Sequence, residues 1–157
     1  MIQRIQTIYL LVAIAINAFI YSLTLATFNY ESLSNVFSMF GLLDRETGEM
    51  LFENWLIPVL SISSILVSLL AIFLFKKRSL QVKTAQLALF FQTAFVAAIF
   101  YFVDQVSSKL ATTANFEVGV VYETGSWLAL FPFIFLFLAI KAIKKDEKLI
   151  RAADRIR

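Results

Sequence analysis

The sequence places a few neutral polar side chains inside long apolar stretches. They are Asn17, Ser61, Ser64, Ser68 and Gln92. Amides and hydroxyls can hydrogen-bond to one another or line a path for a polar solute, but they supply neither a strong base nor an ionisable group. The serines recur at three- and four-residue spacing, so a helix would put them on one face. We expect this face to pack closely against a neighbouring helix, and we expect Asn17 and Gln92 to hydrogen-bond across a helix bundle.

The residue types that usually carry catalysis are scarce. Cysteine and histidine are absent, which removes disulfides, thiol chemistry and the common zinc and haem ligands. The groups that could still act as a base are Glu53, Asp104 and Glu123, and surface acids are usually only solvated. The sequence therefore predicts no catalytic residue, no cofactor and no metal site, and we expect a protein that is not an enzyme.

The composition is typical of a protein embedded in a membrane. Hydrophobic residues make up 60% of the 157 residues and charged residues 16%, with a mean hydropathy of +0.80. Four apolar stretches are long enough to cross ~30 Å of hydrocarbon as helices, at about 5–26, 55–75, 85–103 and 127–143. The length of the first favours a retained span over a cleaved secretory signal. The chain 1–157 thus predicts a single all-α membrane domain, a bundle of four transmembrane helices.

The distribution of charge predicts the orientation of these spans. Of the 14 Lys and Arg residues, all but Arg45 and Lys109 lie near the N-terminus, in the connection at 76–84, or in and next to the C-terminal tail. Basic residues concentrate on the cytoplasmic side of short loops. The pattern therefore predicts that both termini are cytoplasmic and that loops 27–54 and 104–126 lie outside.

Both outer loops contain patterns typical of β-strands. Residues 36–43 and 50–52 are largely apolar and flank a turn-like segment at 44–48, which predicts a hairpin. Residues 116–123 of the second loop are rich in valine and partly alternate. Because a lone hairpin is marginally stable in water, we expect a small extracytoplasmic sheet that combines strands from both loops.

Aromatic and proline residues mark two of the apolar stretches. Trp55 and Trp127 open the second and the fourth, which predicts anchors at the outer interface. Pro132 lies about five residues into the fourth stretch, where a proline is expected to kink a helix.

The C-terminal tail, 144–157, keeps a helical pattern with several basic residues around an apolar stripe. It predicts a cytoplasmic basic amphipathic helix that contacts anionic lipid headgroups. Contact with a partner, ribosomal RNA at an export site included, is the alternative. No DNA partner is expected.

The two ends of the chain resemble a known family. Residues 1–11 (MIQRIQTIYLL) and 144–151 (KKDEKLIR), followed by Asp154-Arg155, resemble a family of small four-span inner-membrane proteins of unknown function from Bacteroidota. The resemblance covers the whole chain. It implies a bacterial inner membrane and brings no catalytic residues with it.

Both terminal motifs fall on the predicted cytoplasmic side, so they could form one joint surface for a partner. The residues of this predicted partner surface are Gln3, Arg4, Gln6, Lys145, Lys148, Arg151 and Arg155.

These features favour a non-enzymatic accessory or scaffold subunit of a larger inner-membrane complex, with protein export or membrane insertion as the first process to consider. The expected partners are membrane lipids and other integral membrane proteins. The alternative is a small transporter or channel for a polar solute that uses the polar groups around Asn17, Ser64 and Gln92.

Overall fold

A computed structural model of the chain describes residues 3–30, 33–114 and 118–154. Within these ranges, a bundle of helices carries an antiparallel sheet at one end. The helices are α1 (Gln3–Ile20), α2 (Leu56–Phe73), α3 (Arg78–Ala114), the short α4 (Thr124–Leu128) and α5 (Phe131–Asp154). A 3-10 turn at Leu74–Lys76 connects α2 to α3.

The sheet is assembled from two distant parts of the chain. Its strands are β1 (Ala26–Tyr30), β2 (Leu33–Ser38), β3 (Gly41–Asp44), β4 (Met50–Glu53) and β5 (Gly119–Tyr122), in the spatial order β4-β3-β2-β1-β5. Strand β5 pairs with β1, so that Ala26 lies opposite Tyr122 and Asn29 opposite Gly119. The expected sheet from both loops is therefore present, but it has four strands, not one hairpin, from the first loop.

The hairpin of β3 and β4 turns within the predicted segment. The amide of Asp44 donates to the carbonyl oxygen of Glu49 at 2.9 Å, and the amide of Gly48 donates to that of Asp44 at 3.0 Å. The Asp44 carboxylate also accepts a bond from the amide of Glu46 at 2.8 Å. Gly48 has a φ of 71°, a left-handed conformation that costs glycine little. The turn-forming residues recognised in the sequence thus close this hairpin.

One face of the sheet packs on the C-terminal half of α3. Phe28 and Phe37 are fully buried and meet edge to face, with ring centroids 6.4 Å apart. They belong to one apolar cluster with residues of α3 such as Phe95 and Val103. Near the end of α3, the Lys109 ammonium lies 5.1 Å from the centre of the Phe52 ring on β4. We call this part of the molecule the sheet end.

A second apolar cluster fills the opposite end of the bundle, which we call the terminal end because it includes the start of α1 and much of α5. Its members come from four helices and include Leu10, Ala71, Ala85 and Ile143. All four helices contribute alanine side chains here, which allows the helices to approach closely.

The prediction of an all-α fold with four transmembrane helices is wrong. The described residues contain a five-stranded sheet. Among them, three helical segments are long and apolar enough to cross a membrane: Leu56–Lys76, Arg78–Thr112 and Thr124–Leu149. The first apolar helix is shorter, Ile5–Ile20, and is about 24 Å long at 1.5 Å per residue.

The first apolar stretch was wrongly predicted as one membrane span because its two parts lie in different environments. The chain leaves the helix after Ile20, and the amides of Ser22 and Leu23 donate to carbonyl oxygens three residues back. Leu25 and Ala26 are fully buried, but they belong to the core beneath the sheet. Hydropathy alone cannot separate burial under a sheet from burial in lipid.

Two other boundaries differ from the predictions. Helix α3 runs well beyond the predicted 85–103 at both ends, since no glycine or proline interrupts residues 78–114. Pro132 is the second residue of α5, where its missing amide proton interrupts no helical bond. The irregularity expected near Pro132 is a break and not a kink within a helix, since the helical segment is interrupted just before it, at Ala129–Leu130, between α4 and α5.

Candidate functional site

A group of hydrogen-bonded polar side chains lies between the two apolar clusters, and we call it the mid-bundle polar layer. The Asn17 amide of α1 donates to Gln92 Oε1 of α3 at 2.8 Å. The Ser64 hydroxyl of α2 donates to the same oxygen at 3.0 Å. The Gln92 amide nitrogen donates to the carbonyl oxygen of Ala129 at 3.0 Å. A single glutamine thus joins α1, α2, α3 and the break between α4 and α5.

The position of this layer follows from the pattern along the helices. On α3, Gln92 lies between Ala88 of the terminal-end cluster and Phe95 of the sheet-end cluster, at helical spacing. On α1, Asn17 lies between Ala13 and Ile20 in the same way. Asn17 is 1% exposed and Gln92 is fully buried. Hydrogen bonding offsets the cost of burying the amides.

The serine stripe of α2 faces the interior. Ser61, Ser64 and Ser68 are all buried, together with Ala71 one turn further on. The Tyr21 hydroxyl, just after α1, donates to the carbonyl oxygen of Pro58 at 3.1 Å, and burial raises the pKa of this phenol. The stripe is thus covered by protein along its length.

One acceptor in the mid-bundle polar layer stays unused. Among the described residues, Asn17 Oδ1 is buried and has no hydrogen-bond partner. A carbonyl oxygen in this position could accept a bond from a small polar molecule.

A second polar group lies at the terminal end, and we call it the Asp146 cluster. The Gln6 amide of α1 donates to Asp146 Oδ2 of α5. The Arg78 guanidinium, at the start of α3, lies 3.3 Å from the same oxygen. The side chains of Arg78 and Asp146 are 18% and 6% exposed. An almost buried carboxylate therefore ties together the ends of three helices, with its charge balanced by an arginine.

The sequence contains a signal for Asp146 that our prediction did not use. Leu136, Ala139 and Ile143 are the buried face of α5, and Asp146 continues that stripe by one turn. A carboxylate on an apolar stripe implies a buried partner.

The residues of the predicted partner surface differ in exposure in the structure. Gln6 is buried in the Asp146 cluster, whereas Lys145 and Lys148 are exposed on α5. Gln3 and Arg4 begin α1, and Arg151 lies in the last turns of α5. Arg155 lies outside the described residues. Since α1 packs along α5, the two terminal segments lie close together.

Polar contacts that the sequence pattern did not predict also join distant segments at the sheet end. The Ser126 hydroxyl donates to the carbonyl oxygen of Leu25 at 2.6 Å, and the Thr27 hydroxyl donates to the Glu123 carboxylate at 3.1 Å. Asn54 Oδ1 accepts bonds from the amides of residues 56 and 57 at 2.9 and 3.3 Å. Asn54 thereby caps α2, which its place just before an apolar run could have indicated.

Within the described residues, no group of three or more Asp or Glu side chains could hold a metal ion. Of the acids considered as a base, Glu123 accepts the Thr27 bond, and Glu53 accepts a bond from the Trp55 indole at 3.4 Å.

The outward faces of the helices are strongly apolar. Phe73 is 70% exposed, Phe90 66% and Phe137 55%, and each lies on a different segment of membrane-spanning length. Polar side chains inside and large apolar side chains outside are the arrangement of a helix bundle in lipid. The fold therefore defines an integral membrane protein.

The comparison with protein families agrees with this class and names no activity. The chain belongs to the family described as a domain of unknown function (DUF4293), whose model matches residues 2–156. No curated protein sequence matches the chain.

Proposed function

We propose that the protein is a non-enzymatic accessory or scaffold subunit of a larger complex in the bacterial inner membrane. Protein export or membrane insertion is the process that we consider first. The main support is the mid-bundle polar layer, in which Asn17, Ser64 and Gln92 are engaged in holding helices together. A bundle whose polar groups bond to one another suits a rigid support better than a path for solutes.

We further propose that the terminal end lies in the cytoplasm and the sheet outside. Exposed lysines gather at the terminal end, on the α2–α3 turn and on α5, among them Lys77, Lys144 and Lys148. The hairpin of the sheet carries Asp44, Glu46 and Glu49 instead. This asymmetry supports the orientation because basic residues concentrate on the cytoplasmic side.

The experiment that tests the accessory role is purification of the tagged protein from its own membrane in a mild detergent, followed by mass spectrometry. We expect one or more integral membrane proteins at a fixed ratio to the bait. The double variant Arg4→Glu, Lys148→Glu should lose them, because it reverses charge on both terminal segments. A matched variant, Lys77→Glu, Lys83→Glu, reverses the same number of charges on exposed positions near the start of α3 and should retain them.

Recovery of the chain alone in every detergent would contradict the accessory role. Equal loss of partners in both double variants would be compatible with the complex. It would, however, contradict the role of the terminal surface as the specific contact.

A small transporter or channel for a polar solute is the second candidate, favoured by the unused Asn17 Oδ1 acceptor. Transport through the bundle would require the bonds of Gln92 to Asn17 and Ser64 to open. Protein reconstituted in liposomes should show no solute flux above that of empty liposomes if the accessory role is correct. Flux that is abolished by Asn17→Leu would support the transporter instead.

A further inference from the structure

An open groove of about 330 Å³ runs between α1 and α5 at the terminal end. Its apolar part is formed by Ile5 and Tyr9 of α1 and Leu138 of α5, and its charged part by Lys141 and Lys145. We propose that this groove binds one anionic phospholipid, with the phosphate between the two ammonium groups and an acyl chain along the apolar part. This inference rests on the membrane class of the protein and not on the accessory role.

The two lysines are placed to share one anion. They are four residues apart, so they lie on the same face of α5 about 6 Å apart along its axis. Both are exposed, and among the described residues neither has an ion pair or hydrogen bond to another side chain. Two unpaired ammonium groups beside an apolar slot are complementary to the phosphate and the chain of an anionic lipid.

Lys141 in particular needs a counter-charge. It lies within the apolar segment Thr124–Leu149, where a charged lysine is unfavourable in hydrocarbon unless its ammonium group reaches the headgroup level. A lipid phosphate would meet the ammonium there. A soluble anion would leave the apolar lining by Ile5, Tyr9 and Leu138 unoccupied, whereas the acyl chain of a lipid would cover it.

Among the described residues that line the groove, one carboxylate is present, and it does not oppose an anion. Asp146 also lines it, but Asp146 is 5% exposed and lies 3.3 Å from the Arg78 guanidinium. The pair is close to neutral, so among the described lining residues the net charge presented to the groove comes from Lys141 and Lys145.

The apolar part of the groove is held in shape by a ring contact. The centres of the Tyr9 and Phe135 rings are 6.4 Å apart, with an angle of 34° between the planes. This contact places the Tyr9 ring against α5, where Tyr9 lines the groove together with Leu138.

The test is native mass spectrometry of the full-length protein in mild detergent with equal amounts of phosphatidylglycerol and phosphatidylcholine. We expect one phosphatidylglycerol to be retained in preference. Lys141→Gln, Lys145→Gln should weaken its retention roughly tenfold or more, since each lysine near a membrane surface contributes about a fivefold factor. The control Lys77→Gln, Lys83→Gln carries the same charge change outside the groove and should keep the lipid. Lys141→Arg, Lys145→Arg keeps both charges and should also keep it, which excludes loss by misfolding.

Three results would overturn the proposal. Equal loss in the groove and control variants would mean general attraction of anionic lipid by positive charge. Unchanged retention in the groove variant would mean that the lipid binds elsewhere. Displacement of the lipid by millimolar glycerol phosphate would mean that the groove recognises a free phosphate group and not a lipid.

Discussion

Gln92 is the residue on which the centre of the bundle depends. Its oxygen accepts two hydrogen bonds and its nitrogen donates one to a carbonyl oxygen. Gln92→Leu would leave the Asn17 amide and the Ala129 carbonyl unpaired. We expect the free energy of unfolding to fall by about 1–3 kcal/mol, since an orphaned buried polar group costs that much.

Thermal unfolding in detergent measures this effect, and Gln86→Leu is the matched control because Gln86 lies on α3 but is exposed. We expect the control to unfold near the native temperature. Equal shifts for the two variants would contradict the structural role of Gln92.

Individual polar residues were foreseeable from the sequence to different degrees. Asn17 and Gln92 stand out because amides are rare in apolar stretches. That they meet could not be derived from local pattern, since they are 75 residues apart in the chain. Asp146 looked like one charge among many in a basic tail, and only the packing of α1 and α3 against α5 makes it a buried group.

At the scale of elements, the β2–β3 connection depends on one glycine. Gly41 has a φ of 143°, and a Cβ atom there would collide with the carbonyl oxygen of Phe52 on β4. Gly41→Ala should therefore displace β4 from the sheet. Gly48→Ala meets open space at a φ of 71°, so it should cost only about 1 kcal/mol of backbone strain.

Limited proteolysis of the two variants in detergent reports on the edge of the sheet. We expect rapid cleavage between β3 and α2 in Gly41→Ala and slow cleavage in Gly48→Ala. Similar cleavage in both would mean that the close approach at Phe52 does not hold the hairpin.

The elements that hydropathy predicts best are those with one environment along their whole length. Helix α2, Leu56–Phe73, falls within the predicted 55–75 because lipid and protein both favour apolar side chains. Strand β2 was not separated from β3, because the predicted apolar segment 36–43 covers parts of both. Strand β1 was missed because it continues an apolar run and one of its partners, β5, lies far along the chain. Non-local pairing leaves little trace in a local pattern.

At the scale of the whole molecule, the absence of cysteine allows the proposed orientation to be tested with single introduced thiols. We expect Thr47→Cys, in the exposed β3–β4 turn, to react with a membrane-impermeant maleimide in cells whose outer membrane has been opened. Lys77→Cys, in the exposed α2–α3 turn, should react only after the inner membrane is lysed. The cysteine-free protein is the control, and the reverse pattern of labelling would contradict the orientation.

Helix α3 has 37 residues and is about 55 Å long, which exceeds the hydrocarbon thickness by roughly 25 Å. It is anchored near one end by the contact of Arg78 with Asp146 and near the other by that of Lys109 with Phe52. Without glycine or proline between residues 78 and 114, it has no hinge in which a movement could be absorbed. We therefore expect a movement of the sheet to be passed along α3 to the terminal end of the bundle.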